Sequence, residues 1–344
     1  MISDTEQASF SNGTSQPLLE IDGLKKYFPV KGGVFMKTRA QLKAVDDVSL
    51  SIQPGETLGL VGESGCGKST LGKCVCRLYE PTAGHIRFRG DTISDLKGKA
   101  LKPYRKDIQM IFQDPAESLN SRHSIGNILE EPLLIHGVRE GRERRRKVAS
   151  ILDTVGLPAD AVNRFPFEFS GGQRQRIGIA RAISLNPQLV VCDEPVSALD
   201  VSVQSQILNL MMDLQKEFNL SYLFIAHDLA VVKHISDRIA IMYLGKIVEV
   251  GPAEDVFRNP LHAYTKALIS AIPVPEPDAQ RKHILLQGDV PSPIDPPPGC
   301  AFARRSWIPC SDEDLEKPGE FKEVSPGHWV EVHPATVENY QDYI

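Results

Sequence analysis

Residues 56–70, "ETLGLVGESGCGKST", decide the fold. The apolar run at their start reads as a buried strand, and the "STLGKCVCRLYE" that ends beyond them reads as a helix. Between the two, Gly62 to Ser69 fits G-x-x-x-x-G-K-[ST], and the motif has the strand before it and the helix after it that it requires. Backbone N–H groups of Gly62, Glu63, Ser64, Gly65, Cys66 and Gly67, with the helix start at Lys68, Ser69 and Thr70, would then cradle phosphates. Lys68 would reach the β- and γ-phosphates of ATP, and Ser69 would ligate Mg²⁺.

Two later stretches, "QLVVCDEP" and "SYLFIAHD", are short apolar runs that end in acidic or polar residues. This is the pattern of parallel strands whose C-terminal ends face a ligand. Asp193 closes the first run and is the natural partner of the metal. Glu194 follows it, placed to polarise an attacking water as general base, although alone it would read as a solvated strand-end charge. His227 closes the second run and reads as a sensor of the γ-phosphate or, without that context, as a structural histidine. Gln113, in "IFQDP", would complete the metal and water shell.

Around this core, residues 18–52 alternate in the manner of strands, with a turn at Gly32 and Gly33. Residues of about 115 to 185 read as a helical insertion; within it "REGRERRRK" reads as a solvated helix face rather than a nucleic-acid site. Residues 1–17 are expected to be a disordered tail, and beyond about Pro260 proline clusters mark a separate C-terminal region. With 41% apolar residues, 24% charged residues and a net charge of −5, the composition is that of a soluble globular protein and demands no nucleic-acid partner. The longest apolar runs are strand-sized, and the N-terminus lacks the apolar core of a signal peptide, so a cytoplasmic protein that does not itself cross a membrane is expected.

"SGGQRQRIGIARA", residues 170–182, sets a serine and two glycines at the start of a second helix. That is a second anion site. One chain needs one cradle, unless the second grips the nucleotide of a neighbour. This constellation resembles the ATP-binding-cassette (ABC) ATPases over roughly Leu18 to Val256. The resemblance implies a head-to-tail dimer in which Ser170, Gly171, Gly172 and Gln173 are the signature that closes over ATP on the opposing subunit. It makes Gln113 the Q-loop glutamine, Asp193 and Glu194 the Walker B pair, Asp200 of "SALD" the D-loop aspartate and His227 the switch histidine. Tyr27 matches the aromatic residue that stacks on adenine. The implied fold is α/β: a RecA-like P-loop core with an antiparallel β-subdomain and an inserted helical subdomain over 18–258, and a small Pro-rich C-terminal extension over 259–344.

Only 125 positions separate Lys68 from Asp193, leaving no room for the long coiled coil of chromosome-maintenance relatives. The finer resemblance, carried by "NPLHAYTKALISAIPVP" and "VPSPIDPPPGCAFARR", is to ATPase subunits of oligopeptide and dipeptide importers; relatives with this tail also import nickel, glutathione or sugars, and a soluble regulatory ABC ATPase is the other alternative. The resemblance implies two membrane permease subunits, a second ATPase in a heterodimer, a solute-binding protein acting indirectly, and a place at the cytoplasmic face of the plasma membrane. Many relatives hold an iron–sulfur cluster on four tail cysteines. Here Ser306 and Val332 stand where two are usual, so no cluster is expected. A zinc site using Cys300, Cys310 and His328 or His333 is left open.

Overall fold

The computed structural model describes residues 16–32, 37–272, 283–294, 296 and 298–343. The expected tail lies almost wholly outside them, as do Gly33 and most of the first proline cluster. In chain order the strands are β1 (Leu19–Gly32), β2 (Lys37–Ile52), β3 (Thr57–Val61), β4 (Ala83–Phe88), β5 (Asp91–Thr92), β6 (Ile108–Ile111), β7 (Leu189–Asp193), β8 (Ser221–Ala226), β9 (Arg238–Tyr243), β10 (Lys246–Pro252), β11 (Glu320–Ser325) and β12 (His328–Val332). The principal helices are α1 (Lys68–Val75), α2 (Lys102–Asp107), α3 (Pro115–Ser118), α4 (Ile125–Ile135), α5 (Gly141–Thr154), α6 (Gly171–Ile183), α7 (Val201–Phe218), α8 (Leu229–Ile235), α9 (Ala253–Arg258) and α10 (Ala263–Ser270).

By its contacts the chain divides into two compact units, one of Pro54–Glu80 and Asp95–Met242, the other of Met1–Gln53, Pro81–Ser94 and Tyr243–Ile344. The first is built on a parallel sheet in the order β9-β3-β8-β7-β6. Every residue of β3, β7 and β8 is buried, which is why these strands read as unbroken apolar runs rather than alternating ones. Register pairs Val61 with Ala226 and Asp193 with Ile225, so the ends of β3, β7 and β8 come level. The loop after each of these strands is therefore delivered to one edge of the sheet.

Helix α1 is shorter than its sequence suggests. It stops at Val75 because Arg77 takes a left-handed φ of 54°, from which its guanidinium donates to the carbonyls of Tyr79 at 3.3 Å and Leu96 at 3.2 Å. The insertion is helical as expected: α4 is N-capped by Ser124, and Ile125, Ile128, Leu129 and Leu133 form its buried face. Helix α5 buries Val148 and Leu152 at the i, i+4 spacing.

The second unit contains the antiparallel sheet β2-β1-β4-β5 and the antiparallel set β10-β12-β11. Contacts thus group the C-terminal residues with the N-terminal strands. The link is backbone: the Asp46 amide donates to the Gly245 carbonyl at 2.8 Å and the Lys43 amide to the Pro293 carbonyl at 3.0 Å. Within the C-terminal residues the packing is aromatic: Phe302 is fully buried and meets Tyr243 edge-on at 5.3 Å and Tyr264 at 5.5 Å between ring centres. Polar groups reinforce it. Glu249, fully buried on β10, accepts from the amides of Leu261 and His262 at 3.0 Å each and pairs with His328 Nε2 at 2.8 Å.

Candidate active site

The loop after β3 turns through Gly65 and Gly67, with φ of 81° and 111°, to start α1. At Gly62 a Cβ would lie 2.1 Å from the carbonyl oxygen of Met242, so only glycine lets the loop follow this path. Inside it Lys68, 4% exposed, donates from Nζ to the carbonyls of Gly62 at 2.7 Å and Glu63 at 3.0 Å. An ammonium group is thus held within a loop of backbone amides, a cradle that fits a polyphosphate.

Next along α1, the Ser69 hydroxyl donates to Asp193 Oδ1 at 2.7 Å. A hydroxyl beside a carboxylate is the oxygen donor pair that suits Mg²⁺. Burial pushes the Asp193 carboxyl above the usual range, against the opposing pull of the Ser69 hydrogen bond and the Lys73 charge.

Glu194 follows with a left-handed φ of 46°, unusual for a residue with a side chain. Three bonds fix it there: its amide donates to Ile225 O at 2.9 Å, and its carbonyl accepts from the Ser197 amide at 3.3 Å and hydroxyl at 3.1 Å. The turn presents the carboxylate to two partners: Oε2 accepts from Gln113 Nε2 at 3.0 Å and lies 3.3 Å from His227 Nδ1. Two residues distant in sequence converge on one oxygen of Glu194.

Ser170 N-caps α6. Its Oγ accepts from the Gln173 amide at 3.3 Å, and Gln173 Oε1 accepts from the Ser170 amide at 3.0 Å. This reciprocal box uses two polar groups that the sequence suggests are bare; the amides of Gly171 and Gly172, in the first helical turn, precede the first intrahelical bond. A Cβ on Gly172 would come within 2.5 Å of Val203 Cγ1 on α7. Asp200 caps α7, accepting from the Val203 amide at 2.9 Å and the Ser202 hydroxyl at 2.7 Å, and these bonds hold its carboxyl below the usual range. Neither Ser170 nor Asp200 hydrogen-bonds to the Lys68, Ser69, Asp193 and Glu194 groups within the chain. In the other unit, the Tyr27 hydroxyl donates to Asp46, and Lys43 Nζ lies 5.7 Å from the centre of its half-buried ring.

The sequence profile of the family described as "ABC transporter" matches residues 45–197, and that described as "Oligopeptide/dipeptide transporter, C-terminal region" matches residues 248–309. The oligopeptide transport ATP-binding protein AppF of Bacillus subtilis is 52% identical over 92% of this chain and 97% of its own length. The chain belongs to the ABC transporter ATPase family. The dipeptide transport ATP-binding protein DppF of Haemophilus influenzae is 55% identical over 85% of this chain and 89% of its own length. Among solved structures, the ATP-binding cassette MJ0796, a dimer in a post-hydrolysis state bound to ADP and Pi, aligns with a TM-score of 0.61 at 28% identity, over 68% of this chain and 98% of that one.

As an ABC ATPase the chain binds and hydrolyses ATP, and one side chain that packs near Gln113 is not evident from the motifs. Arg181, on α6, donates from Nη1 to the carbonyl of Ser118 at 2.7 Å and stands 5.8 Å from the centre of the Phe112 ring. From α6 it thus reaches residues before and after Gln113. A lone charge in the otherwise apolar run of residues 177–183 is the signal that could have found it. Among the described residues no helix is long and apolar enough to cross a membrane.

The tail residues do not fit a cluster or a zinc ion. Cys300 Sγ lies 3.6 Å from Glu331 Oε2, His328 is taken by Glu249, and His333 Nε2 faces the carbonyl of Asp314 at 2.9 Å. Four thiolates are needed for the usual cluster, and Cys300 and Cys310 are the only cysteines after Cys192. Among the described residues no three His, Cys, Asp or Glu side chains form a metal-binding group.

Proposed function

We propose that this chain is the ATP-hydrolysing subunit of an importer of di- and oligopeptides, peripheral on the cytoplasmic face of the plasma membrane. Two permease subunits, a second ATPase paired head-to-tail and an external solute-binding protein complete the machine. The observation that carries the peptide assignment is the match of residues 248–309 to the oligopeptide/dipeptide transporter C-terminal region, outside the part shared by all ABC ATPases. The names of the relatives and the dimeric state of the solved cassette support it.

In this reading Lys68 and the loop amides bind the β- and γ-phosphates, and Tyr27 stacks on adenine. Ser69, Asp193 and Gln113 would hold Mg²⁺, which when bound would neutralise phosphate charge. Glu194 takes the proton of the attacking water, the bond to the β-phosphate oxygen breaks, and ADP and phosphate result. Gln113 and His227 hold the Glu194 carboxylate in place for that transfer. Ser170, Gly171, Gly172 and Gln173 meet the nucleotide of the partner, with Asp200 at the same interface. Uptake of labelled peptides by proteoliposomes containing the permeases and both ATPases tests the substrate. ATP-dependent peptide uptake is expected; uptake of nickel or a sugar in its place would refute the assignment.

A further inference from the structure

The basic stretch between α4 and α5 has no part in the chemistry above. Residues 134–147 hold six basic side chains against two acidic ones, in a chain whose net charge is −5. Two of the six are used internally. Arg144 Nε meets Glu130 Oε2 at 2.8 Å, while its Nη1 donates to the carbonyls of Val138 at 3.1 Å and Arg139 at 2.7 Å. Lys147 pairs with Glu143 at 3.1 Å. Arg144 thereby fixes the loop between the helices and makes the tip a defined surface.

Arg139, Arg142, Arg145 and Arg146 remain exposed, with no ion pair among the described residues. Their arrangement opposes helix stability twice over. Arg142 stands i, i+3 from Arg145 and i, i+4 from Arg146, where like charges repel, and the cations sit in the N-terminal half of α5, where the helix dipole prefers anions. An anion outside the chain would relieve both costs. Beside them, in the last turn of α4, Leu134 is 53% and Ile135 is 55% exposed.

We propose that this tip docks on the headgroup surface of an anionic phospholipid membrane, the four arginines meeting lipid phosphates and Leu134 and Ile135 entering the interface. The pairing of exposed aliphatic side chains with unneutralised guanidinium groups selects that partner. A nucleic acid would satisfy the arginines, yet it offers nothing to the aliphatic pair, and the stretch has no Phe, Tyr or Trp on which a base could stack. The proposal rests on the reading of the chain as a peripheral membrane subunit.

Cosedimentation of the full chain with vesicles of phosphatidylcholine, alone or mixed with phosphatidylglycerol, is the test. Binding is expected to the mixed vesicles only and to fade at high salt. The triple variant Arg142→Glu, Arg145→Glu, Arg146→Glu should bind at least about tenfold more weakly, with ATP binding and helix content unchanged. Leu134→Ser with Ile135→Ser should lose the part of the binding that survives salt. Equal sedimentation with both vesicle types, none with either, unchanged binding by the triple variant, or tighter binding to duplex DNA than to mixed vesicles would each overturn the proposal. Permease-stimulated ATP hydrolysis in neutral detergent separates the two readings. The triple variant should keep that stimulation, and its loss would assign the tip to the permease instead; absence of stimulation in the wild type would count against the importer reading, while the vesicle result is read independently.

Discussion

Glu194 sits in backbone strain for a purpose. A non-glycine residue at φ 46° is held only where its surroundings over-determine it. The three bonds to Ile225 and Ser197 do so, and the result aims one carboxylate oxygen at both Gln113 and His227. Glu194→Gln should keep ATP binding and lower single-turnover hydrolysis by roughly 10²- to 10⁴-fold, the usual contribution of a general base; hydrolysis near the wild-type rate would remove Glu194 from that role. Arg181→Met should act differently. It strands the Ser118 carbonyl at a cost of about 1–3 kcal/mol and frees Gln113 from α6, so nucleotide affinity should persist while permease stimulation of hydrolysis falls, with Arg181→Lys restoring part of it.

The elements of the catalytic unit are the most legible part of the sequence. The fully buried β3, β7 and β8 announce themselves as apolar runs, and residues at or beyond the ends of these strands and of β6 are the ones the structure brings together, Ser69 with Asp193 and Glu194 with Gln113 and His227. The features that sequence conceals depend on long-range packing. The premature end of α1 comes from Arg77 reaching to Leu96, and no local pattern encodes that reach. The grouping of the C-terminal segment with the N-terminal strands is equally hidden, because proline clusters advertise a linker while the bonds that join it, Lys43 to Pro293 and Asp46 to Gly245, are backbone contacts between distant positions, and the rings of Tyr243, Tyr264 and Phe302 that hold its own parts together lie far apart in sequence. Phe302→Ala should accordingly cost about 3–5 kcal/mol in denaturant unfolding; a change under about 1 kcal/mol, on the order of a surface substitution, would show that these rings do not hold the segment. At the head of α6, Gly172→Val should collide with Val203 and lower ATP-driven association, and Val203→Ala in the same chain should recover part of it.

On the scale of the whole molecule, the Cys300, His262 and Glu331 side chains meet in the C-terminal region. Burial raises the Glu331 carboxyl, but His262, 3.4 Å away, together with Lys246 and Cys300 more than offsets it and leaves the group below its ordinary range. A lowered carboxylate stabilises the fold fully above its unfolded value of about 4.3, and that stability is lost as pH falls through the lower folded value. Glu331→Gln should therefore flatten the acid limb of the stability profile. Cys300 is buried and Cys310 partly exposed, so alkylation of the native chain should reach Cys310 before Cys300, and the purified chain should lack the visible absorbance of an iron–sulfur cluster. The role of the molecule as an importer motor is tested most directly by ATP hydrolysis in a reconstituted complex with its permeases and partner ATPase, with and without peptide-loaded binding protein. Hydrolysis stimulated by the loaded binding protein and abolished by Glu194→Gln is expected; hydrolysis indifferent to permeases and peptide would contradict that role.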